Sequence, residues 1–469
     1  MQLIVTIPNS YPVERDYILS VILKEFLGLK YIIRRAGNAD VCISDKEQKR
    51  RLIIPDGLFA IPKEQWLAKE SLPKQPLEVW DPQTLSLLEG IKLATVPVIY
   101  GARNRCVDET NCFQNDQVFY LPIDIFGSAF FMLTRYEEIV KQDRDEHDRF
   151  PAWASLAYQE GFLERPIIDE YVESLWWAMK QLWPGLSRKK RNFEMMVSHD
   201  VDTPSRYGFL TIPQTIRAMG GDILLRGNIR TALLGPWIRF KTVHAIHRSD
   251  PYNTFDAIMD ISERYGLVSA FYFKCGRTHR LYDAKYEITH PAIRNLLRRI
   301  HERGHEIGLH PSYCAYQIPQ IIMEEANHLR HVCDEEGIQQ AEWGGRMHYL
   351  RWKTPTTLYG WEQAKMTYDS TLSYADHSGF RCGTCHAYPA FDPKSGTGFK
   401  LKIQPLIAME CTIIDKKYMG LGLTPFAFEK LLQLKQACRT VGGKFTLLWH
   451  NKRLANQQER DLYVAILKA

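Results

Sequence analysis

Two aspartates one residue apart, Asp200 and Asp202, end an apolar run that begins at Phe193 and passes through Val197. The run predicts a buried strand, and Pro204 closes it two residues past the second acid. Side chains alternate along a strand, so the two carboxylates point the same way. Two like charges side by side repel unless a cation or a shared proton lies between them. The pair therefore predicts a metal site or a catalytic dyad; the bland alternative is a solvated acidic turn. Three other strand-like runs end on residues suited to the same chemistry: Gly304–His310, the stretch reaching Gly345-Arg346, and Leu447–His450. Imidazoles bind metals and move protons near neutral pH.

These side chains need a scaffold that gathers strand ends. In the second half, strand-like runs end near Asp200, Lys274, His310, Gly345, Asp369, Met409 and His450. Helical patterns lie between most of them, at 254–265, 291–303, 319–336 and 425–440. Pro or Thr opens each of these, and Gly follows its end. Strand–helix alternation predicts a parallel α/β sheet or barrel. In a barrel, the carboxyl ends of the strands carry function, and Asp200, Asp202, His310 and His450 fall there.

Residues 1–187 predict a separate mixed α/β unit. Strands are expected at 3–7, 39–43 and 52–54, and helices at 17–27, 128–140 and 168–182. Pro-rich connections run from 62 to 82, and a charged loop spans 142–149. The dense group Arg135, Tyr136, Glu137 and Glu138 reads as a solvated helix face. A Trp183-Pro184-Gly185 break and a short basic bridge precede the second unit, 192–469.

Of the 469 residues, 45% are hydrophobic and 24% charged, the balance of an ordinary globular chain. The start of the chain carries no signal-like segment, and no apolar run has the length of a membrane span. The ten scattered cysteines then read as reduced thiols, and a cytoplasmic protein is expected. The net charge is +6, and the segment 206–249 alone carries it: seven basic residues against one acid, Asp222. Its Gly220-Gly221 and Gly235-Pro236 pairs argue against one continuous helix. Arginines interleave with Ile223, Leu224, Leu225, Leu233, Leu234, Trp237, Ile238 and Phe240. This predicts a lid or an interfacial surface meeting an anionic partner: a polyanionic glycan, a lipid-linked diphosphate or a membrane. The alternative is a packed insertion with solvated Arg heads. Four basic residues in the linker Ser187–Arg191 do not make a nucleic-acid patch, and no phosphate-binding Gly loop or Ser nucleophile elbow is present.

From about residue 193 onward the chain resembles the polysaccharide deacetylases of the NodB-homology type (carbohydrate esterase family four). Ser198-His199-Asp200-Val201-Asp202 is similar to the family's first motif, and Gly304-His305-Glu306-Ile307-Gly308-Leu309-His310 leads into its second. Gly345-Arg346-Met347-His348-Tyr349, Tyr368-Asp369-Ser370 and Leu447-Leu448-Trp449-His450-Asn451 follow in the family's order. The resemblance implies a distorted (β/α)7 barrel and a divalent metal, usually zinc. It implies Asp200 as general base, Asp202 and His310 as metal ligands, Arg346 orienting the base, and His450 as catalytic acid. Tyr349, Asp369 and Trp449 are expected on the substrate side. The family's second motif has a further His four residues on, where this chain has Cys314. Cys314 and His348 are therefore both candidates for the third ligand. Residues 1 to about 185 resemble an uncharacterised N-terminal domain carried by some bacterial deacetylase-like proteins.

The expected activity is removal of an N-acetyl group from a bacterial surface-polysaccharide precursor. The alternative is an inactive barrel that binds a glycan or a membrane-associated assembly partner. His199 and His305 are expected as hydrogen-bonded core residues. Cys382-Gly383-Thr384-Cys385-His386 has the form of a haem attachment site, but without export it reads as a loop near the active site.

Overall fold

The computed structural model describes residues 2–37, 39–81, 95–101, 113–115 and 117–469. Pro82, the end of the expected Pro-rich connection, lies outside these. The architecture is mixed α/β with several sheets. In the first half, a six-stranded mixed sheet runs in the order Tyr31–Arg35, Leu3–Ile7, Val41–Ser44, Arg51–Ile54, Val118–Tyr120, Phe113–Asn115. The apolar strand Leu3–Ile7 sits inside it, parallel to one neighbour and antiparallel to the other.

In the second half, five parallel strands form one sheet in the order Glu306–Leu309, Ser269–Phe273, Glu194–Val201, Lys444–Leu448, Ala408–Met409. Parallel strands buried on both faces read as continuous apolar runs, which Ser269-Ala270-Phe271-Tyr272-Phe273 shows. Helices Phe255–Arg264, Pro291–Glu302 and Pro425–Thr440 connect them. A separate three-stranded sheet holds Tyr368–Asp369, Thr397–Ile403 and Tyr388–Asp392. Six of the seven expected strands are present, divided between two sheets, and the seventh, near Gly345, is only an isolated bridge to Leu309. The Gly344-Gly345 segment links the sheets: Leu309 N donates to the Gly344 carbonyl and Ser370 N to that of Gly345. Gly345 is required here, because a Cβ would meet the Leu309 carbonyl oxygen at 2.2 Å.

Register decides what meets at the carboxyl edge. Val201 pairs with Phe273, Phe273 with Leu309, and Leu448 with Met409. The next residues along each strand are Asp202, Lys274, His310, Trp449 and Glu410, so four ionisable side chains gather at one edge.

Two expectations about the first half are corrected. The helix expected over 128–140 is two helices, Ile125–Leu133 and Tyr136–Val140, broken at Arg135 with φ +54°. Asp124 starts the first, its side chain accepting from Gly127 N. The group Arg135–Glu138 is buried, not solvated. Arg381 reaches it from the second half: its Nε and Nη2 donate to Glu138 at 2.9 and 2.7 Å, and Arg135 Nε donates to the same carboxylate at 2.8 Å. Burial opposes ionisation of Glu138, yet Arg381 and Arg135 hold its carboxyl down to about 2. Removing one member of such a buried network strands the others and costs roughly 3–5 kcal/mol.

The Cys382–His386 loop belongs to the same junction. Thr384 Oγ1 and Cys385 N donate to the Asp169 carboxylate at 2.7 and 3.1 Å. Both cysteines are buried, and neither borders the cleft described below, which corrects the expectation of a loop near the active site. The described cysteines are all free thiols. No described helix is long and apolar enough to cross a membrane.

Candidate active site

A cleft of about 620 Å³ opens at the carboxyl edge of the parallel sheet. Asp200, Asp202, His310, His348, Tyr349 and His450 line it. Asp202, His310 and His348 offer one ligand atom each, all within 4.8 Å of one another. The Nε2 atoms of His310 and His348 both lie 3.3 Å from Asp202 Oδ1. Ligands about 2.0–2.1 Å from a tetrahedral zinc are separated by about 3.4 Å, so the spacing fits one shared cation. Asp202 Oδ1 and His310 Nε2 are buried without any hydrogen-bond partner. Buried polar atoms left unmatched are costly, and a common cation would satisfy both.

The outer nitrogens are spoken for in the way metal-bound imidazoles require. His310 Nδ1 lies 2.6 Å from the Arg346 carbonyl oxygen, and His348 Nδ1 lies 3.2 Å from Asp283 Oδ1. An Nδ1–H donated to an oxygen leaves Nε2 as a lone pair facing the cluster. Asp283 is itself held by N–H groups of Thr278, His279 and Tyr313. Burial disfavours charge on Asp202, but His348 and His310 outweigh it and keep its carboxyl well below the usual range.

Between the two candidates for the third ligand, the geometry favours His348. Cys314 stands outside the cluster on the loop after His310, its N–H donating to Thr278 Oγ1. The loop carries the position four residues past His310 away from Asp202, while the bridge at Gly345 brings His348 back to it.

Asp200 is fixed beside this cluster. Arg346, fully buried, donates from Nη1 to Asp200 Oδ1 at 2.8 Å. Its other donors reach the Ser370 carbonyl at 2.8 Å and Ser198 Oγ at 2.9 Å. Burial pushes the Asp200 carboxyl up, but Arg346 and His310 prevail and hold it below its ordinary value. Asp200 Oδ2 lies 3.8 Å from His310 Nε2. On another side of the cluster, His450 Nε2 lies 3.6 Å from Asp202 Oδ2. His450 Nδ1 meets Glu410 Oε1 at 2.5 Å. Burial disfavours the imidazolium, yet Glu410 raises its pKa well above 6.5. Glu410 is held down to about 2 against its own burial by His450.

Tyr349 borders the cleft with φ +60°, a left-handed conformation that costs a non-glycine residue energy and clusters at functional sites. Asp369 and Trp449 do not border it, and their expected role on the substrate is corrected. Asp369 is buried against Thr371, where it shapes the turn that presents Ser370 to Arg346. Trp449 is fully buried against Tyr463, because alternation turns it away from His450.

Known proteins add little to this geometry. Residues 3–184 match a family of unknown function (DUF7033). Comparison with curated proteins gives no match. Among solved structures, "Crystal structure of putative polysaccharide deacetylase from Mycobacterium smegmatis" aligns over 60% of this chain and 84% of that one. The identity is 16% and the TM-score 0.39. "Crystal structure of Puue Allantoinase" aligns over 61% and 85%, at 11% identity and a TM-score of 0.34. Likenesses this distant assign no activity, and the site has to be read from its own residues.

Several of those residues belong to no motif read from the sequence. Glu410 and Lys274 directly follow strand ends, where a carboxylate and a lysine could have been noticed. Lys274 is buried 3.9 Å from Asp202 and 3.8 Å from Asp283, and burial lowers its pKa to about 8 against the pull of both acids. Asp283 lies in a loop with no pattern. Glu146, His147 and Arg149 come from the first half, where the charged loop forms part of the cleft wall. Arg149 Nη1 donates to the Tyr349 carbonyl at 3.0 Å, and Arg351 Nε to that of His147 at 2.7 Å. His199 and His305 are hydrogen-bonded core residues.

Two other groups could in principle hold a cation, Asp169–Cys385–His386 and Glu410–Cys411–His450. In the first, both carboxylate oxygens already accept hydrogen bonds, and burial keeps the Cys385 thiol protonated. In the second, His450 Nδ1 is engaged by Glu410. His386 Nε2 and Glu410 Oε2 are also without a partner, but among these three groups only the Asp202 cluster sets two such atoms, Asp202 Oδ1 and His310 Nε2, against each other.

Proposed function

We propose that the protein is a metal-dependent hydrolase of the NodB-homology deacetylase type, removing an N-acetyl group from a carbohydrate. The observation that carries this reading is the placement of Asp200 and His450 on different sides of the Asp202–His310–His348 cluster within one cleft. The order of motifs in the sequence supports the same reading, including a distorted barrel as the scaffold.

Asp202, His310 and His348 would hold the cation. When bound, a divalent cation such as zinc supplies Lewis acidity, lowering the pKa of water and stabilising negative charge on a carbonyl oxygen. Asp200 receives the proton of the attacking water at Oδ2, since Oδ1 is occupied by Arg346. Arg346 keeps that carboxylate ionised and aimed. His450, charged through Glu410, donates its Nε2 proton to the nitrogen as the C–N bond breaks. Water adds to the acyl carbon, and acetate and a free amine leave. Tyr282, Tyr349 and Tyr418 give the cleft aromatic walls suited to the apolar faces of a sugar ring. The non-catalytic alternative rests on a missing third ligand, and His348 speaks against it.

The test is elemental analysis joined to acetate release from N-acetylated sugars. About one divalent cation per chain is expected, with acetate release abolished by a chelator and restored by zinc. A fully loaded protein that releases no acetate, or a chain that retains no cation, overturns the reading.

The role of Glu410 yields a separate prediction. With Gln at position 410, the charge holding His450 protonated is gone, and its pKa falls toward about 6.5. An acid must be protonated to act, so activity is lost above its pKa. Glu410→Gln should move the alkaline limb of the pH–rate profile to lower pH and reduce kcat about 100-fold, with metal content unchanged. An unmoved limb would rule out His450 as the acid.

A further inference from the structure

The segment 206–249 folds as a helical hairpin, Ile212–Leu224 and Ile229–Lys241. The break falls at Gly227, φ +63°, rather than at the Gly220-Gly221 or Gly235-Pro236 pairs, which both lie inside helices. Thr211 and Asn228 cap the two starts.

Its amphipathicity is inverted. Ile212, Ile216 and Ile223 share one stripe of the first helix, and Ile229, Leu233, Trp237 and Phe240 one stripe of the second. These stripes are exposed, not packed. Leu224 and Leu225 at the tip are each 83% exposed, Leu233 is 72% and Phe240 70%. Ala232, Gly235 and Ile238 face inward instead, Gly235 against Tyr207 and Met219. An apolar surface this extended on a globular protein marks a binding site.

The charge around it is of one sign. Arg217, Arg226, Arg230, Lys241 and Arg248 are exposed. The only acid, Asp222, is buried and neutralised by Arg206 and Arg226 at 2.8 Å. Lys241 Nζ lies 4.7 Å from the Trp237 ring, an arrangement suited to the boundary between headgroups and acyl chains. A groove of about 900 Å³ then runs from the hairpin to the candidate active site. Arg217 and Arg226 of the hairpin, Arg277 and Arg280, and Asp202 and His348 of the candidate site all line it.

We propose that this hairpin docks the protein on an anionic phospholipid bilayer. Leu224, Leu225, Ile229 and Leu233 enter the acyl boundary, and the arginines and Lys241 meet lipid phosphates. Charge complementarity selects this occupant: an apolar face on a segment whose exposed charges are all cations matches a negatively charged membrane surface. Docking would set the basic groove at headgroup level, open to a substrate carried on a lipid. The docking itself stands or falls independently of acetate release.

Vesicle sedimentation of the full chain, without substrate, tests it. Binding is expected to vesicles of equal parts phosphatidylglycerol and phosphatidylcholine, and at least about tenfold weaker binding to phosphatidylcholine alone. Raising salt from about 0.1 M to about 1 M should release the protein, because screening shortens from about 10 Å to about 3 Å. Leu224→Asp with Leu233→Asp, and Arg230→Glu with Lys241→Glu, should each weaken binding at least about tenfold while metal content is unchanged. Wild-type protein that stays in the supernatant with anionic vesicles overturns the proposal. So does equal binding to neutral vesicles. Concentration-dependent self-association that Leu224→Asp with Leu233→Asp abolishes, without vesicle binding, would assign the surface to a second copy of this chain.

Discussion

Asp202→Ala is expected to leave the protein folded but unable to retain a divalent cation, with acetate release reduced at least about 1,000-fold. Asp202 Oδ1 is the shared point of the cluster, 3.3 Å from both imidazoles. Without it, two His nitrogens remain, one ligand short of the three that catalytic zinc sites use. Loss of a Lewis acid worth several kcal/mol of transition-state stabilisation corresponds to that factor in rate. Asp283→Asn should sit between, weakening metal affinity about 10- to 100-fold, because it orients His348 without touching the cation. Elemental analysis and calorimetric zinc titration read both. An Asp202→Ala protein with full metal content would remove Asp202 from the ligand set.

Asp200→Asn is expected to do the reverse: metal content unchanged, and kcat lower by about 1,000-fold. The amide keeps an oxygen toward Arg346 and has nearly the same shape, so packing around the fully buried guanidinium should survive. What it loses is the ability to take a proton. Circular dichroism and thermal unfolding close to wild type would show that the loss is chemical. Metal loss on Asp200→Asn would make Asp200 a ligand and leave the base to be found elsewhere.

Together the two variants separate roles that the pair Asp200-Val201-Asp202 leaves merged. Strand alternation puts both carboxylates on one side, and nothing local tells them apart. Their neighbours do: Arg346, 146 positions from Asp200, and His310 and His348 beside Asp202. In the proposed mechanism a strand with two identical acids would supply a base and a ligand, because different remote elements reach each one.

The same division runs through the molecule. Periodicity and punctuation show the helices Pro291–Glu302, Pro319–Glu335 and Pro425–Thr440, and the strands between them, because backbone propensity and Pro or Gly boundaries act over a few residues. The motif order points to Asp200, Asp202, His310, Arg346 and His450 before any fold is known. The inverted hairpin is foreshadowed by arginines interleaved with Leu and Trp. None of this reveals Asp283 behind His348, Glu410 behind His450, or the loop 145–149 in the cleft wall. Those partners lie 65, 40 and, for Arg149 with Tyr349, 200 positions apart.

Arg135–Glu138 makes the point in energetic terms. On a lone helix, such a charged cluster belongs in water. It is buried because Arg381, 243 positions from Glu138, supplies the matching charge. The choice between Cys314 and His348 is of the same kind. Spacing along the chain favours neither, and the close bridge at Gly345, against the Leu309 carbonyl, brings His348 to Asp202. Local sequence is enough where short-range backbone geometry sets the outcome. Where a charge must find its counter-charge across hundreds of residues, only the packing of distant elements supplies it.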